Sequence, residues 1–280
     1  VTTRKTTQKA AAPGQAGNKP ASGGAARKTA SSDRMHDIFA PTAPSNPPVI
    51  EPADADPTEA GADAGTPRPG LDEASWAYAE TYRRERPEAG RARQAAEEMG
   101  NVPISRGVAT TLTFLARAAH ARSVVEVGSG TGVSGLALFA GMVPEGVLTS
   151  IDADSEVQRV ARAVFREAGV PTNRIRLIAG DALTVMPKLS DAAYDLVFID
   201  ADMLDCGEYI EQAQRLLRAD GVLVVNNALW HNLVADPANE DDETIVIREA
   251  LEAVESLDDV WVPALLPVGN GLLVASRRAS

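Results

Sequence analysis

"VVEVGSGTGVS", residues 124–134, is the stretch on which the fold turns. Its valines, interrupted only by Glu126, read as a buried strand, and Gly128, Gly130 and Gly132 then break the strand and open a helix. Glycines at such a turn let the backbone approach a ligand closely, and the helix N-terminus behind them attracts negative charge. A glycine-rich turn after a strand is by itself shared among several nucleotide-like cofactors. The dinucleotide fingerprint Gly-x-Gly-x-x-Gly requires a final glycine where this chain has Val133.

Apolar runs alternate with helical stretches on both sides of this turn. Strands are expected at 124–128, 147–152, 175–180, 196–200 and 221–227, with helices near 132–143, 155–169, 182–189 and 206–218 between them. Continuous apolar strands separated by crossover helices predict a parallel sheet covered on both faces. After a helix over 241–256, strands at 260–268 and 271–277 meet at Gly269-Asn270-Gly271, a hairpin signal. The expected fold class is therefore α/β, a seven-stranded, mostly parallel sheet that ends in an antiparallel hairpin. Upstream, two helices divided at Pro87 and a third over 104–120 lead into the sheet.

Residues 1–70 differ in texture, being rich in Ala, Pro, Gly, Ser, Thr and charge. They bury too little apolar surface to offset chain entropy, so a disordered extension is expected, followed by a folded domain over 71–280 with N-terminal helices (71–120) and an α/β core (121–280). Residues 1–34 hold seven Lys and Arg against one acid, residues 35–70 carry a net of −5, and residues 71–280 carry −13. So acidic a body offers no cationic surface for nucleic acid, although the basic tail is suited to weak contact with an acidic partner or nucleic acid. That tail also has the Arg- and Ser-rich look of a transit peptide, and its plainest reading is a solubilising segment. The chain begins at Val1 rather than Met, as a fragment or a non-standard start would. One cysteine, Cys206, excludes an intrachain disulfide, and no apolar run is long enough for a membrane helix. A cytoplasmic location is the expectation.

The strand ends carry the chemistry. "SIDADS" places Asp152 at the end of the second strand, where a carboxylate can accept from both hydroxyls of a ribose. "AGDAL" puts Asp181 after the third, where an N-cap suits it equally well. "VFIDAD" ends the fourth in Asp200 and "VVNNALW" ends the fifth in Asn226 and Asn227. In such sheets ligands bind outside the carboxyl ends of the strands.

The alternating glycines preceded by Glu126 resemble the motif of class I S-adenosylmethionine-dependent methyltransferases, which have a Rossmann-like core. The segment "MGNVPISRGVATTLTFLARAAHARSVVEVGSGTGVSG", with "VFIDAD", "EYIEQAQRLLRADGVLVVNNALW", "VADP" and "LLPVGNGLLVA", is similar to the bacterial branch of the cation-dependent catechol and caffeoyl-CoA O-methyltransferases over about residues 75–278. The resemblance implies an enzyme that methylates a hydroxyl of a small, aromatic, diol-like acceptor. It assigns the cofactor, S-adenosyl-L-methionine, to Val102, Glu126, Gly128, Ser129, Ser134, Asp152, Asp181 and Ala182. It assigns Mg²⁺ or a similar cation to Asp200, Asn226 and Asn227; from their places in the chain, Asp202 beside Asp200 is the candidate to assist catalysis, and Trp230, after the fifth strand, the candidate for acceptor contact. A homodimer through the N-terminal helices is implied as well.

The chain departs from that family at two positions. Asn226 stands where an aspartate is usual, which removes one charge from the cation's ligands. Met203 stands where the family commonly has a lysine, the proposed general base, and a thioether takes no proton at neutral pH. These departures define an alternative, a catalytically impaired S-adenosylmethionine-binding protein. An NAD-binding oxidoreductase is a further one, opposed by Val133. Of the remaining reactive residues, His231 reads as a rim residue, His120 as a helix end, Cys206 as core, and "NEDDE" (239–243) as a solvated helix start. Trp76, Tyr78 and Tyr82 read as packing or dimer-contact residues.

Overall fold

The computed structural model describes residues 72–279; the expected disordered extension over 1–70 lies outside the described residues, as do Leu71 and Ser280. Three helices lead in. α1 (Glu73–Thr81) is capped by Asp72, whose Oδ1 accepts from the Ser75 N–H at 2.7 Å. α2 (Pro87–Glu98) begins with Pro87 in its first turn, where a missing N–H costs nothing. α3 (Arg106–Ala118) is capped by Ser105 and buries Val108, Leu112 and Ala116, one stripe at helical spacing.

The core alternates strand and helix: β1 (Ser123–Val127), α4 (Val133–Gly141), β2 (Val147–Asp152), α5 (Ser155–Glu167), β3 (Ile175–Ala179), α6 (Ala182–Val185), β4 (Tyr194–Ile199), α7 (Cys206–Leu216) and β5 (Leu217–Asn226). Then follow α8 (Asp242–Ser256), β6 (Trp261–Leu266) and β7 (Leu272–Arg277). The seven strands form one sheet in the order β3-β2-β1-β4-β5-β7-β6. β1 through β5 pair in parallel, and β7 runs antiparallel to both β5 and β6. The expected architecture is thus present.

Side-chain alternation divides the core in two. Val125, Val127, Val197, Ile199, Leu223 and Val225 face α7 and α8 in one layer. Val124, Leu148, Leu196, Phe198 and Val224 face α3, α4 and α5 in the other. Gly141 lets α3 and α4 approach closely, since a Cβ there would meet the Thr113 carbonyl oxygen at 2.2 Å. Thr113 in turn donates from Oγ1 to the Ala137 carbonyl at 2.9 Å across the same contact.

Three boundaries differ from expectation for local reasons. β5 starts at Leu217 rather than Gly221, because Leu217 pairs with Tyr194 before a register shift lets Val222 pair with Leu196. α6 is one turn that tightens into a 3₁₀ segment, Met186–Lys188, at Pro187, which cannot donate to a continuing helix. The hairpin turn widens to 267–271, since Leu266 is the last β6 residue in register, opposite Leu272.

Candidate functional site

The strand order reverses direction between β1 and β4, and a cleft of about 480 Å³ opens at the carboxyl ends of the strands there. The glycine loop forms its floor. Gly128 has φ +88°, and a Cβ on it would meet the Asp200 carbonyl oxygen at 2.0 Å. The Asp200 N–H donates to the Val127 carbonyl at 2.8 Å, so the ends of β1 and β4 are joined backbone to backbone. A Cβ at Gly130 would meet no atom within 4 Å, which leaves that space to the cleft. Asp152 ties the loop to β2. Its Oδ2 accepts from the Ser129 N–H, the Ser129 hydroxyl and the Gly130 N–H at 2.9, 3.2 and 2.9 Å, and its Oδ1 accepts from the Asp154 N–H at 2.9 Å. Oδ2 is thereby saturated, while Oδ1 keeps a lone pair for a ligand.

Of the residues the resemblance assigns to the cofactor, Val102, Gly128, Ser129, Ser134, Asp152, Asp181 and Ala182 all line this one cleft. Val102 is 95% exposed at the mouth. Asp181 caps α6 and also lines the cleft; the Thr184 hydrogen bond keeps its carboxyl below the ordinary range. Glu126 does not line the cleft. It is fully buried beneath the loop, where the Ser150 hydroxyl donates to Oε2 at 2.6 Å and Oε1 has no partner. Burial pushes this carboxyl up to about 7, against the opposing pull of the Ser134 and Ser150 hydroxyls.

Asp200 lines the other end of the cleft, and Asn226 and Asn227 meet it there without lining the cleft themselves. Val225 registers with Ile199, so Asn226 is next to Asp200 across adjacent strands. Nδ2 of Asn226 donates to Asp200 Oδ1 at 2.8 Å, and Nδ2 of Asn227 donates to the same oxygen at 3.3 Å. Burial raises the Asp200 carboxyl to about 6, and the Asn226 hydrogen bond opposes that rise. Behind Asn227, the Asn270 Nδ2 donates to Asn227 Oδ1 at 3.3 Å, and the His231 N–H donates to Asn270 Oδ1 at 2.6 Å.

These side chains do not fit a divalent cation. A hard cation needs oxygens directed at it. Asn226 Oδ1 is buried without a partner, Asn227 Oδ1 is taken by Asn270, and both amides turn their nitrogens towards Asp200.

Two neighbouring positions lie away from the cleft lining. Trp230 is half-buried, packs tilted against the His231 ring at 5.2 Å between centroids, and does not line the cleft. Met203 is buried in the layer under α7 and α8, so the position expected to hold a base faces the core. Asp202 does line the cleft, with Oδ1 accepting from the Leu204 N–H at 3.1 Å. Two lining residues were missed: Asp205 and Tyr209, joined by a hydrogen bond from the Tyr209 hydroxyl to Asp205 Oδ2 at 3.3 Å. Their spacing of four on a helix was the available signal. Burial, then the Asp205 charge, pushes the Tyr209 phenol up. Cys206 is buried with its thiol pushed up to about 12, as a core residue should be, and Trp261 is fully buried.

Comparison with known proteins agrees with this geometry. The family model described as O-methyltransferase matches residues 81–278. A probable O-methyltransferase of Mycobacterium tuberculosis strain H37Rv is 43% identical over 213 residues, covering 76% of this chain and 95% of the relative. The crystal structure of a Corynebacterium glutamicum protein aligns with TM-score 0.68 and 32% identity over 72% of this chain and 95% of that one. The O-methyltransferase TomG from Streptomyces achromogenes, involved in tomaymycin synthesis and solved in complex with S-adenosylmethionine, aligns with TM-score 0.67 and 27% identity over 75% of this chain and 100% of its own. The chain belongs to the S-adenosylmethionine-dependent O-methyltransferase family.

Proposed function

We propose that this protein methylates a hydroxyl of a small, aromatic, diol-like acceptor at the Asp200 end of the cleft. One observation carries the reading: a single cleft joins the glycine loop and Asp152 to Asp200. Its lining holds Asp152, Asp154, Asp181, Asp200, Asp202 and Asp205 and, among the described residues, no Lys, Arg or His. That one-signed field suits a sulfonium cation.

Bound S-adenosylmethionine supplies an electrophilic methyl group. The loop backbone at Gly128 and Ser129, with Ser134 at the start of α4 and the Val102 backbone, holds the methionine part. Asp152 receives a ribose hydroxyl on the free lone pair of Oδ1, and Asp181 and Ala182 face the adenine. Glu126 acts from below, by supporting the loop. The acceptor hydroxyl must lose its proton as its oxygen bonds to carbon, and a phenol of pKa about 10 needs help to do so at neutral pH. Asp200 and Asp202 are the carboxylates at that end of the cleft. The cation that the family resemblance implies is the part of the expectation that the amide orientation supports least.

A homodimer through the leading helices is also our reading, supported by Trp76, Tyr78 and Tyr82, which are exposed on a helix that buries no residue. A cytoplasmic location remains part of the proposal; no helix among the described residues is long and apolar enough to cross a membrane.

The test is calorimetry with S-adenosylmethionine and with NAD, followed by methyl transfer to a panel of catechols and related phenols, with and without EDTA. Binding of S-adenosylmethionine alone, with turnover of a catechol-like acceptor, is expected. Binding of NAD without S-adenosylmethionine would sink the reading. Cofactor binding without turnover across the panel would favour the impaired binding protein to which Met203 and Asn226 point.

A further inference from the structure

We propose that a directed chain of amides ending on Asp200 replaces the divalent cation in this protein, so that its methyl transfer is metal-independent. The proposal rests on reading this cleft as the methyl-transfer site.

The direction of the chain follows from one unambiguous donor. A backbone N–H can only donate, so the His231 N–H fixes the Asn270 side chain with Oδ1 towards it, at 2.6 Å. Asn270 then has only its Nδ2 to offer Asn227, whose Oδ1 accepts it at 3.3 Å. Asn227 is left with Nδ2 facing Asp200, at 3.3 Å. Reversing any one amide sets oxygen against oxygen or nitrogen against nitrogen at one of its contacts. Asn226 adds a second N–H to the same Oδ1 at 2.8 Å, a bond that the aspartate usual at this position could not make as a carboxylate.

The amides therefore deliver to Asp200 Oδ1 what a cation would otherwise supply, a positive partner for a carboxylate drawn out of water. They also leave Asp200 Oδ2 with no hydrogen-bond donor among the described residues. In the step this implies, the acceptor's O–H proton passes to Asp200 Oδ2 while a new bond forms between the acceptor's own oxygen and the methyl carbon. The bond from methyl to sulfonium sulfur breaks, and its electron pair leaves a neutral thioether. Asn270 acts as a positioning residue, because it reaches Asp200 only through Asn227. The backbone that carries it is fixed in turn: the neighbouring Gly269 N–H donates to Glu80 Oε1 of α1 at 3.0 Å.

The experiment measures cation binding to the full chain by calorimetry with Mn²⁺, and the Tm shift on adding Mg²⁺, for the natural protein and for an Asn226→Asp, Asn270→Asp double variant. In the variant, residue 226 contributes a second carboxylate. The acid at 270 still accepts from His231 but has no N–H for Asn227, which is then free to turn its oxygen towards Asp200. The natural protein should show no saturable Mn²⁺ binding at millimolar concentration and no Mg²⁺-dependent Tm shift. The variant should bind Mn²⁺ at least ~tenfold more tightly, with Tm raised by Mg²⁺. Saturable Mn²⁺ binding by the natural protein would overturn the proposal, as would a folded variant equally indifferent to cations. If the variant does not fold, the measurement on the natural protein decides alone. Binding of S-adenosylmethionine, measured on the same samples, tests the cleft separately: its loss would sink the functional reading, whereas cation binding bears only on the amide chain.

Discussion

Replacing Glu126 by glutamine should change stability by an amount that depends on pH, with a sign the structure sets. Glu126 is fully buried on β1, and its carboxyl titrates near 7 instead of its ordinary 4.5. Folding thus favours the protonated form. The contribution to stability is complete below pH 4.5, is lost as pH rises towards 7, and stays lost above it. Between pH 5 and pH 8 the shift amounts to roughly 2 to 3 kcal/mol. Glutamine cannot ionise. Its oxygen can keep the Ser150 hydroxyl bond, and its amide can donate to the Ser134 hydroxyl beside it. For a folded part of this size, each kcal/mol moves Tm by about 2–4 °C, so the Tm advantage of Glu126→Gln should be about 5–10 °C larger at pH 8 than at pH 5. Thermal unfolding of both proteins at the two pH values is the assay. Other titrating groups are common to both chains and cancel in the difference. A gap independent of pH, or one that widens towards pH 5, would refute the reasoning.

Gly128→Ala should destabilise the fold by at least about 3 kcal/mol and abolish S-adenosylmethionine binding, because the added Cβ meets a backbone oxygen at 2.0 Å on a residue with φ +88°; urea unfolding and calorimetry check both parts. Asp152→Ala removes a ribose acceptor and releases the glycine loop, and should weaken S-adenosylmethionine by about ten- to a hundredfold in calorimetry. Met203→Lys should not restore a base. It places an ammonium in the layer under α7 and α8 and should cost several kcal/mol, of order 3, in urea unfolding, with no gain in methyl transfer.

The sheet was legible because β1 through β5 each carry an apolar run closed by a glycine or a polar residue, a pattern that a parallel sheet buried on both faces favours. The lining of the cleft was legible for a related reason, since glycines and acids at strand ends are local signals. The burial of Glu126 was not legible, because "VVEVG" shows a carboxylate beside the loop without showing that its side chain points beneath it. Met203 follows the same logic: the sequence shows a thioether where a lysine is usual, and only packing reveals that it turns inward. The amide chain could not be read at all. Asn270 looks like a turn residue between two glycines, and its meeting with Asn227, 43 residues earlier, exists only once β7 has paired with β5.

The contact between Gly128 and the Asp200 carbonyl has an implication for how such an enzyme can diversify. Cofactor loop and acceptor end are spaced by main chain alone, with no side chain between them to lengthen or trim. Substitution therefore cannot retune the distance from donor to acceptor without breaking the sheet. Selectivity has to be written around that fixed span, elsewhere in the cleft, and relatives that differ in substrate should differ there while sharing this close backbone approach.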